Sequence, residues 1–112
     1  MQGGPSARSC HKICMDESSK QIFILGKFIE SNLRTTDTLK NDFFVYDTAA
    51  RKWTLITDDT SAMGGPAPIF DHQMVCDSER STVYVFGGKV QKLPRCASKS
   101  DFEFQCVCII LL

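Results

Sequence analysis

The strongest constraint on the fold is an internal repeat with a period of 61 residues. Identical residues recur at this spacing without a gap: Gly3, Gly4, Pro5, His11, Asp16 and Gly26 are matched by Gly64, Gly65, Pro66, His72, Asp77 and Gly87. Apolar residues match between them, as Ile22 does with Val83 and Ile24 with Val85. Self-similarity at a fixed period is typical of repeat architectures, so we expect two copies of one supersecondary unit.

Each unit is predicted to contain four short antiparallel strands. In the first copy, β-branched and aromatic runs bounded by turn residues fall at residues 11–15, 21–25, 43–46 and 53–56. The second run does not alternate apolar with polar residues, which is typical of a strand covered on both faces between stacked sheets. Four-stranded units stacked face to face predict a β-propeller.

The predicted fold is therefore all-β, a partial propeller of about two four-stranded antiparallel blades. Residues 3–61 form the first blade, and residues 62–112 form a second blade that is incomplete and diverges after residue 88. The third strand of the second blade is expected within residues 102–108, and no counterpart of Trp53 follows it. Residues 109–112 are then an exposed apolar tail prone to aggregation, and the chain is interpreted as a truncated product or a fragment.

Composition narrows the function classes. The 13 basic and 13 acidic residues cancel, which argues against nucleic-acid binding, and the longest apolar run, residues 107–112, is too short to insert across a membrane. The N-terminus carries no basic segment followed by an apolar stretch, so a cytoplasmic location is expected. Six cysteines without a Cys-x-x-Cys pair indicate reduced thiols and no zinc site.

Residues that could carry chemistry are better explained as structural. His11 and His72 occupy equivalent repeat positions, whereas a catalytic histidine is needed only once. Gly87 and Gly88 are followed by Lys89-Val90, without the Ser or Thr of a phosphate-binding loop and without a helical pattern, so they predict a tight turn. Trp53 is assigned to packing between blades. We therefore predict no catalytic, cofactor-binding or metal-binding residues and no cofactor.

Loops offer a better candidate for function. In a four-stranded meander, residues 27–41, 57–71 and 88–101 share one rim, and the first of these mixes charges with apolar side chains. Such a surface suits protein recognition. The candidate residues are Lys27, Phe28, Glu30, Leu33, Arg34, Asp37 and Lys40. The alternative is a solvated loop that folds over its own blade.

The sequence resembles the kelch repeat in three features: the spaced histidine, the strand that ends at Gly87-Gly88, and Tyr46-Asp47 followed by Trp53. Within that class, residues 3–12, 42–47 and 70–74 resemble the kelch region of the muskelin family, and the similarity extends over residues 3–88. The resemblance implies a non-catalytic intracellular scaffold linked to cell spreading, cytoskeletal organisation, receptor trafficking and a CTLH-type ubiquitin ligase.

The partners implied by this resemblance are ubiquitin-ligase subunits or cytoskeletal and trafficking proteins. We also expect self-association, because the edge strands of an incomplete propeller have unpaired backbone groups. Two alternatives stay open. One is a truncated product without function. The other is a fragment of a kelch-propeller enzyme of the galactose-oxidase type, which would need copper ligands from several blades.

Overall fold

The computed structural model describes residues 3–94 and 107–111. These residues form two single turns of 3-10 helix, Ser31–Leu33 and Thr60–Met63, and a set of β-strands. The strands are β1 (Lys12–Asp16), β2 (Gln21–Leu25), β3 (Phe43–Asp47), β4 (Lys52–Thr57), β5 (Ile69–Asp77), β6 (Thr82–Val90) and β7 (Val107–Leu111). No helix in this part of the chain is long and apolar enough to cross a bilayer.

The first sheet is an antiparallel meander with the strand order β1-β2-β3-β4. The second sheet has the order β5-β6-β7 and is also antiparallel. The expectation of an all-β, antiparallel fold is therefore confirmed. The predicted strands of the first unit are also confirmed, since each observed strand bound lies within one residue of the prediction.

Local sequence explains the three hairpin turns. Each begins with an aspartate whose carboxylate accepts a hydrogen bond from a backbone N–H of the turn, and each ends at a residue with left-handed backbone. The pairs are Asp16 with Lys20, Asp47 with Arg51, and Asp77 with Ser81. The same turn thus recurs in both units, which extends the 61-residue repeat from sequence to backbone geometry.

The second sheet departs from the sequence prediction at two places. Strand β6 continues through Gly87 and Gly88 to Val90, so the predicted tight turn is wrong. A Cβ on Gly88 would lie 2.9 Å from the His72 Cβ, and glycine is therefore needed for the close approach of the neighbouring strand.

Strand β7 pairs with β6 and begins three residues later than the repeat predicts, because Val107 lies opposite Phe86 whereas Phe43 lies opposite Leu25. Most of the predicted strand at residues 102–108 lies outside the described residues. The backbone of residues 109–111, which belong to the predicted apolar tail, forms part of β7.

The two sheets pack face to face around one apolar core. Its buried members are Phe23, Leu25, Phe43, Val45, Ile69, Met74, Val83 and Val85. Polar contacts cross the same interface: His72 Nε2 lies 3.0 Å from the Leu25 carbonyl oxygen, and Ser78 Oγ donates to Asp16 Oδ1 at 2.6 Å. These bonds fix the register of the second sheet against the first.

Trp53 does not lie in this core, so it does not pack between these two sheets, and its predicted place between blades stays a prediction. Its ring centroid is 4.9 Å from that of Tyr46 and 6.3 Å from that of Phe44, on the face turned away from the second sheet. A Cβ on Gly4 would lie 2.8 Å from the indole Nε1. Trp53 therefore holds the N-terminal segment against the first sheet.

Candidate protein-binding groove

An open groove of about 510 Å³ lies along the loop that joins β2 to β3. Its apolar lining comes from Ile29, Leu33, Phe44 and Leu55, and its polar lining from Lys27, Asp37, Thr38, Lys40, Asp42 and Asp58. The Leu33 side chain is 58% exposed, whereas Ile29 is buried. The groove therefore combines an apolar floor with an accessible apolar side chain and charges of both signs.

The loop is fixed to the second sheet by one buried side chain, that of Gln91. The Ile29 backbone N–H donates to Gln91 Oε1 at 2.7 Å, and Gln91 Nε2 donates to the Lys27 carbonyl at 2.8 Å. The Gln91 backbone N–H donates in turn to the Pro68 carbonyl at 2.8 Å. The groove is thus held in shape before any partner arrives, which lowers the entropic cost of binding.

A charged cluster of Arg8, Lys27 and Asp42 lies at the groove, and Lys27 and Asp42 line it. Arg8 donates two hydrogen bonds to the Asp42 carboxylate, at 2.5 and 3.1 Å, and Lys27 Nζ lies 3.2 Å from Asp42 Oδ2. Burial by itself would raise the pKa of Asp42, but the hydrogen bonds and positive charges of Arg8 and Lys27 outweigh it and lower that pKa. Asp42 is therefore ionised and holds Lys27 in place.

Four of the seven predicted binding residues line the groove, and three do not. Lys27, Leu33, Asp37 and Lys40 line the groove. Phe28 instead packs against Phe70 of the second sheet, with ring centroids 4.9 Å apart.

Arg34 belongs with Phe28, because its guanidinium lies 5.8 Å from the Phe28 ring and donates to the carbonyls of Ile29 and Lys92. Glu30 is exposed at the start of the Ser31–Leu33 turn and does not line the groove. For Phe28 and Arg34, the alternative of a loop folded over its own protein describes the observed contacts better.

The three predicted rim segments meet, as far as they are described. Residues 27–41 contact Phe70, Gln91 and Lys92, and Asp58 of the second segment lines the groove. Residues 95–101 of the third segment lie outside the described residues. The sequence-based site prediction did not include Arg8, Asp42, Phe44 and Leu55. The position of Asp42 directly before a predicted strand that begins at this rim was a signal for it.

The histidines and thiols have separate environments. His72 is fully buried, and burial lowers its pKa to about 4 despite the nearby Leu25 carbonyl. Because a carbonyl only accepts, Nε2 of the neutral ring donates to it. His11 is exposed. Burial raises the pKa of Cys14, which makes this thiol a poor nucleophile. Within residues 3–94 and 107–111, no group of three metal-ligating side chains converges.

Fold and groove together define the class of this protein: an all-β protein of two packed antiparallel sheets with an open groove on one rim. No family model matches the chain. Mei4-dependent protein 6 of Schizosaccharomyces pombe is 40% identical to it over 88 residues. That match covers 77% of this chain but 13% of the relative, so the chain spans only a small part of the relative's length.

The comparison corrects the resemblance drawn from sequence. The relative is Mei4-dependent protein 6, and neither the muskelin family nor the kelch repeat receives support, so that recognition is wrong. The role it implied, an intracellular scaffold for cell spreading, cytoskeletal organisation, receptor trafficking and a CTLH-type ubiquitin ligase, is overturned with it. The implied ligase, cytoskeletal and trafficking partners lose their basis.

Proposed function

We propose that this chain is a non-catalytic binding unit that holds an extended segment of another protein in the groove beside the β2–β3 loop. The observation that carries the proposal is a preformed groove in which the exposed side chain of Leu33 stands over a buried apolar floor. Apolar anchors inside a polar rim are the usual basis of protein recognition.

The chemistry of the groove specifies the ligand class. Ile29, Leu33 and Leu55 accept an apolar anchor such as leucine or phenylalanine. Lys40 and Asp58 form an exposed ion pair at 3.5 Å, which a partner's charges can replace at small cost. We therefore propose a peptide segment with one large apolar residue flanked by charges of both signs.

The fold supports a finer architectural proposal, in which the two sheets are consecutive blades of a larger propeller. It rests on the four-stranded meander, the face-to-face packing and the repeated turn geometry. The relative has a much longer chain, which gives room for further blades there. Its name records dependence on Mei4 and specifies no ligand, so the binding proposal rests on the groove alone.

The test is selection of peptides from a random displayed library on the immobilised chain, followed by fluorescence anisotropy with the enriched peptides. Enriched sequences should share one large apolar residue, and Leu33→Glu should weaken their binding about tenfold or more. Met63→Glu is the matched control, because Met63 is exposed but does not line the groove. Failure to enrich any peptide, or equal binding by the Leu33→Glu variant, would refute the proposal.

A further inference from the structure

The first sheet carries a large apolar face on the side turned away from the second sheet. Cross-strand pairing aligns two rows there, Ile13–Ile24–Phe44–Leu55 and Met15–Ile22–Tyr46–Trp53. The N-terminal segment reaches only part of it, at Phe44 and Trp53. Ile13 remains 58% exposed and Met15 46% exposed. We call this surface the outer face of the first sheet.

The 61-residue repeat shows what such a face is built to contact. Ile13, Ile22 and Ile24 are the repeat equivalents of Met74, Val83 and Val85, which are all buried between the two sheets. His11 is likewise the equivalent of the buried His72. The outer face of the first sheet therefore repeats, in chemistry and position, the side of the second sheet that packs on the first.

The outer face of the second sheet is the counterpart. Val75 is 49% exposed, Phe86 is 40% exposed, and Tyr84 is half-buried between them in the register of β5 with β6. Their repeat equivalents are Cys14, Leu25 and Phe23, which form the side of the first sheet that receives the second. The two outer faces of the molecule thus reproduce the two sides of its internal interface.

The glycine that contacts His72 at the internal interface also has an equivalent on the outer face of the second sheet. At the internal interface the His72 ring lies against Gly26, where a Cβ would be 2.7 Å from Cε1, and its Nε2 donates to the Leu25 carbonyl. The equivalent glycine, Gly87, has the same left-handed backbone, with φ of 73° against 85°, and nothing within 4 Å of its Cβ position. Gly87 therefore leaves room for a histidine ring.

We propose that a second copy of this chain docks head to tail, so that the outer face of the first sheet of one copy packs on the outer face of the second sheet of the next. His11 of one copy enters the space at Gly87 of the other and donates to the Phe86 carbonyl. The contact continues the interface that already joins the two sheets. This contact joins the faces of two sheets, whereas the self-association predicted from the sequence joins unpaired strand edges.

Because the two contact faces differ, each copy keeps one face free after docking, and association continues along a line or closes into a ring. One repeat position opposes the contact. Inside the molecule, Ser78 donates a hydrogen bond to Asp16. At the contact between copies, the repeat equivalent of Ser78 is Glu17 and that of Asp16 is Asp77, so two carboxylates would face each other. We therefore expect association that depends on concentration and that a single substitution strengthens.

Sedimentation velocity of two variants, Ile13→Asp and Phe86→Asp, tests the geometry. The unmodified chain should show increasing mass with concentration, each variant alone should be monomeric, and an equimolar mixture should form a dimer that grows no further. Each variant retains the face that the other lacks. Met63→Asp, which lies on neither face, should associate like the unmodified chain. Circular dichroism and urea unfolding check that each variant is folded.

A monomeric unmodified chain, or a mixture of folded variants that stays monomeric, overturns the proposal. Glu17→Ser tests the register, because it removes the carboxylate and installs the hydroxyl that Ser78 supplies internally. It should tighten association about tenfold. Glu79→Ser removes an acid from the other hairpin turn and should have a smaller effect; equal effects of the two substitutions refute the register. Phe44 and Leu55 belong to both the outer face and the peptide groove, but none of these substitutions lies in the groove. Because the Ile13→Asp variant is expected to be monomeric, peptide binding by that variant tests the proposed function separately from this proposal.

Discussion

The contact between Gly26 and His72 is the sharpest test of how the two sheets are joined. Gly26 has a φ of 85°, and a Cβ there would lie 2.7 Å from His72 Cε1 and 3.0 Å from the Ile69 carbonyl oxygen. Gly26→Ala therefore introduces two separate costs, strained backbone and a clash with a buried ring. Gly87→Ala is the matched control, because Gly87 has a φ of 73° and open space at its Cβ position.

The magnitudes follow from these two geometries. A non-glycine residue in left-handed backbone costs about 1–2 kcal/mol, and this cost applies to both variants. Overpacking a buried contact adds about 1–3 kcal/mol, and it applies to Gly26→Ala alone. We expect losses in the free energy of unfolding of about 2–5 kcal/mol for Gly26→Ala and about 1–2 kcal/mol for Gly87→Ala.

Urea unfolding followed by the fluorescence of Trp53, the single tryptophan, measures both losses; low protein concentration keeps association out of the comparison. In a His72→Ala background the ring is gone, so the penalty of Gly26→Ala should shrink towards that of Gly87→Ala. If the two glycine variants lose equal stability, or if the His72→Ala background leaves the penalty unchanged, the reasoning about the ring contact is refuted.

Three further predictions concern buried polar groups. The free energy of unfolding should fall by up to about 3 kcal/mol as pH drops from about 6.5 to about 4, because His72 binds a proton at higher pH in the unfolded chain than in the folded protein, where its pKa is about 4. The urea midpoint of a His72→Gln variant should no longer show this pH dependence. An unchanged pH profile in that variant would contradict the prediction. Asp42→Asn should lower the free energy of unfolding in urea by about 3 kcal/mol, because it leaves the guanidinium of Arg8 buried without a carboxylate. A loss under about 1 kcal/mol, which is typical of an exposed ion pair, would contradict this prediction. Gln91→Ala should cost about 1–3 kcal/mol and speed hydrogen exchange at the Ile29 amide, whose acceptor it removes; unchanged exchange would show that another group holds the loop.

Local signals in the sequence predicted the first sheet well. Aspartates that open each turn and β-branched or aromatic runs between them set the strand bounds, and Gln21–Leu25 was predicted residue for residue. The repeat also predicted that a second sheet would pack on the first, because a four-stranded unit with an apolar face needs a cover. Both signals depend on near neighbours or on spacing, which a single sequence contains.

Long-range contacts account for what sequence reasoning missed. Gly87 and Gly88 look like a turn locally, but the close approach of His72 from the paired strand keeps them within β6. The role of Gln91 depends on a loop more than 60 residues earlier in the chain, and no local pattern records it. The groove was found only in part for the same reason, since Arg8, Asp42 and Leu55 converge from three separate segments.

Strand β2 connects these results. Its sequence, Gln21–Leu25, lacks the apolar–polar alternation of a strand with one solvent-exposed face. The fold accounts for the apolar residues on one face of this strand but not for those on the other. Phe23 and Leu25 are buried against the second sheet, whereas Ile22 and Ile24 are only half-buried on the outer face. The part of an apolar side chain that still faces water gains nothing from its hydrophobicity in the isolated chain. The pattern of β2 therefore specifies a second cover, and the repeat equivalents Val83 and Val85, both fully buried, indicate that this cover is another sheet of the same kind.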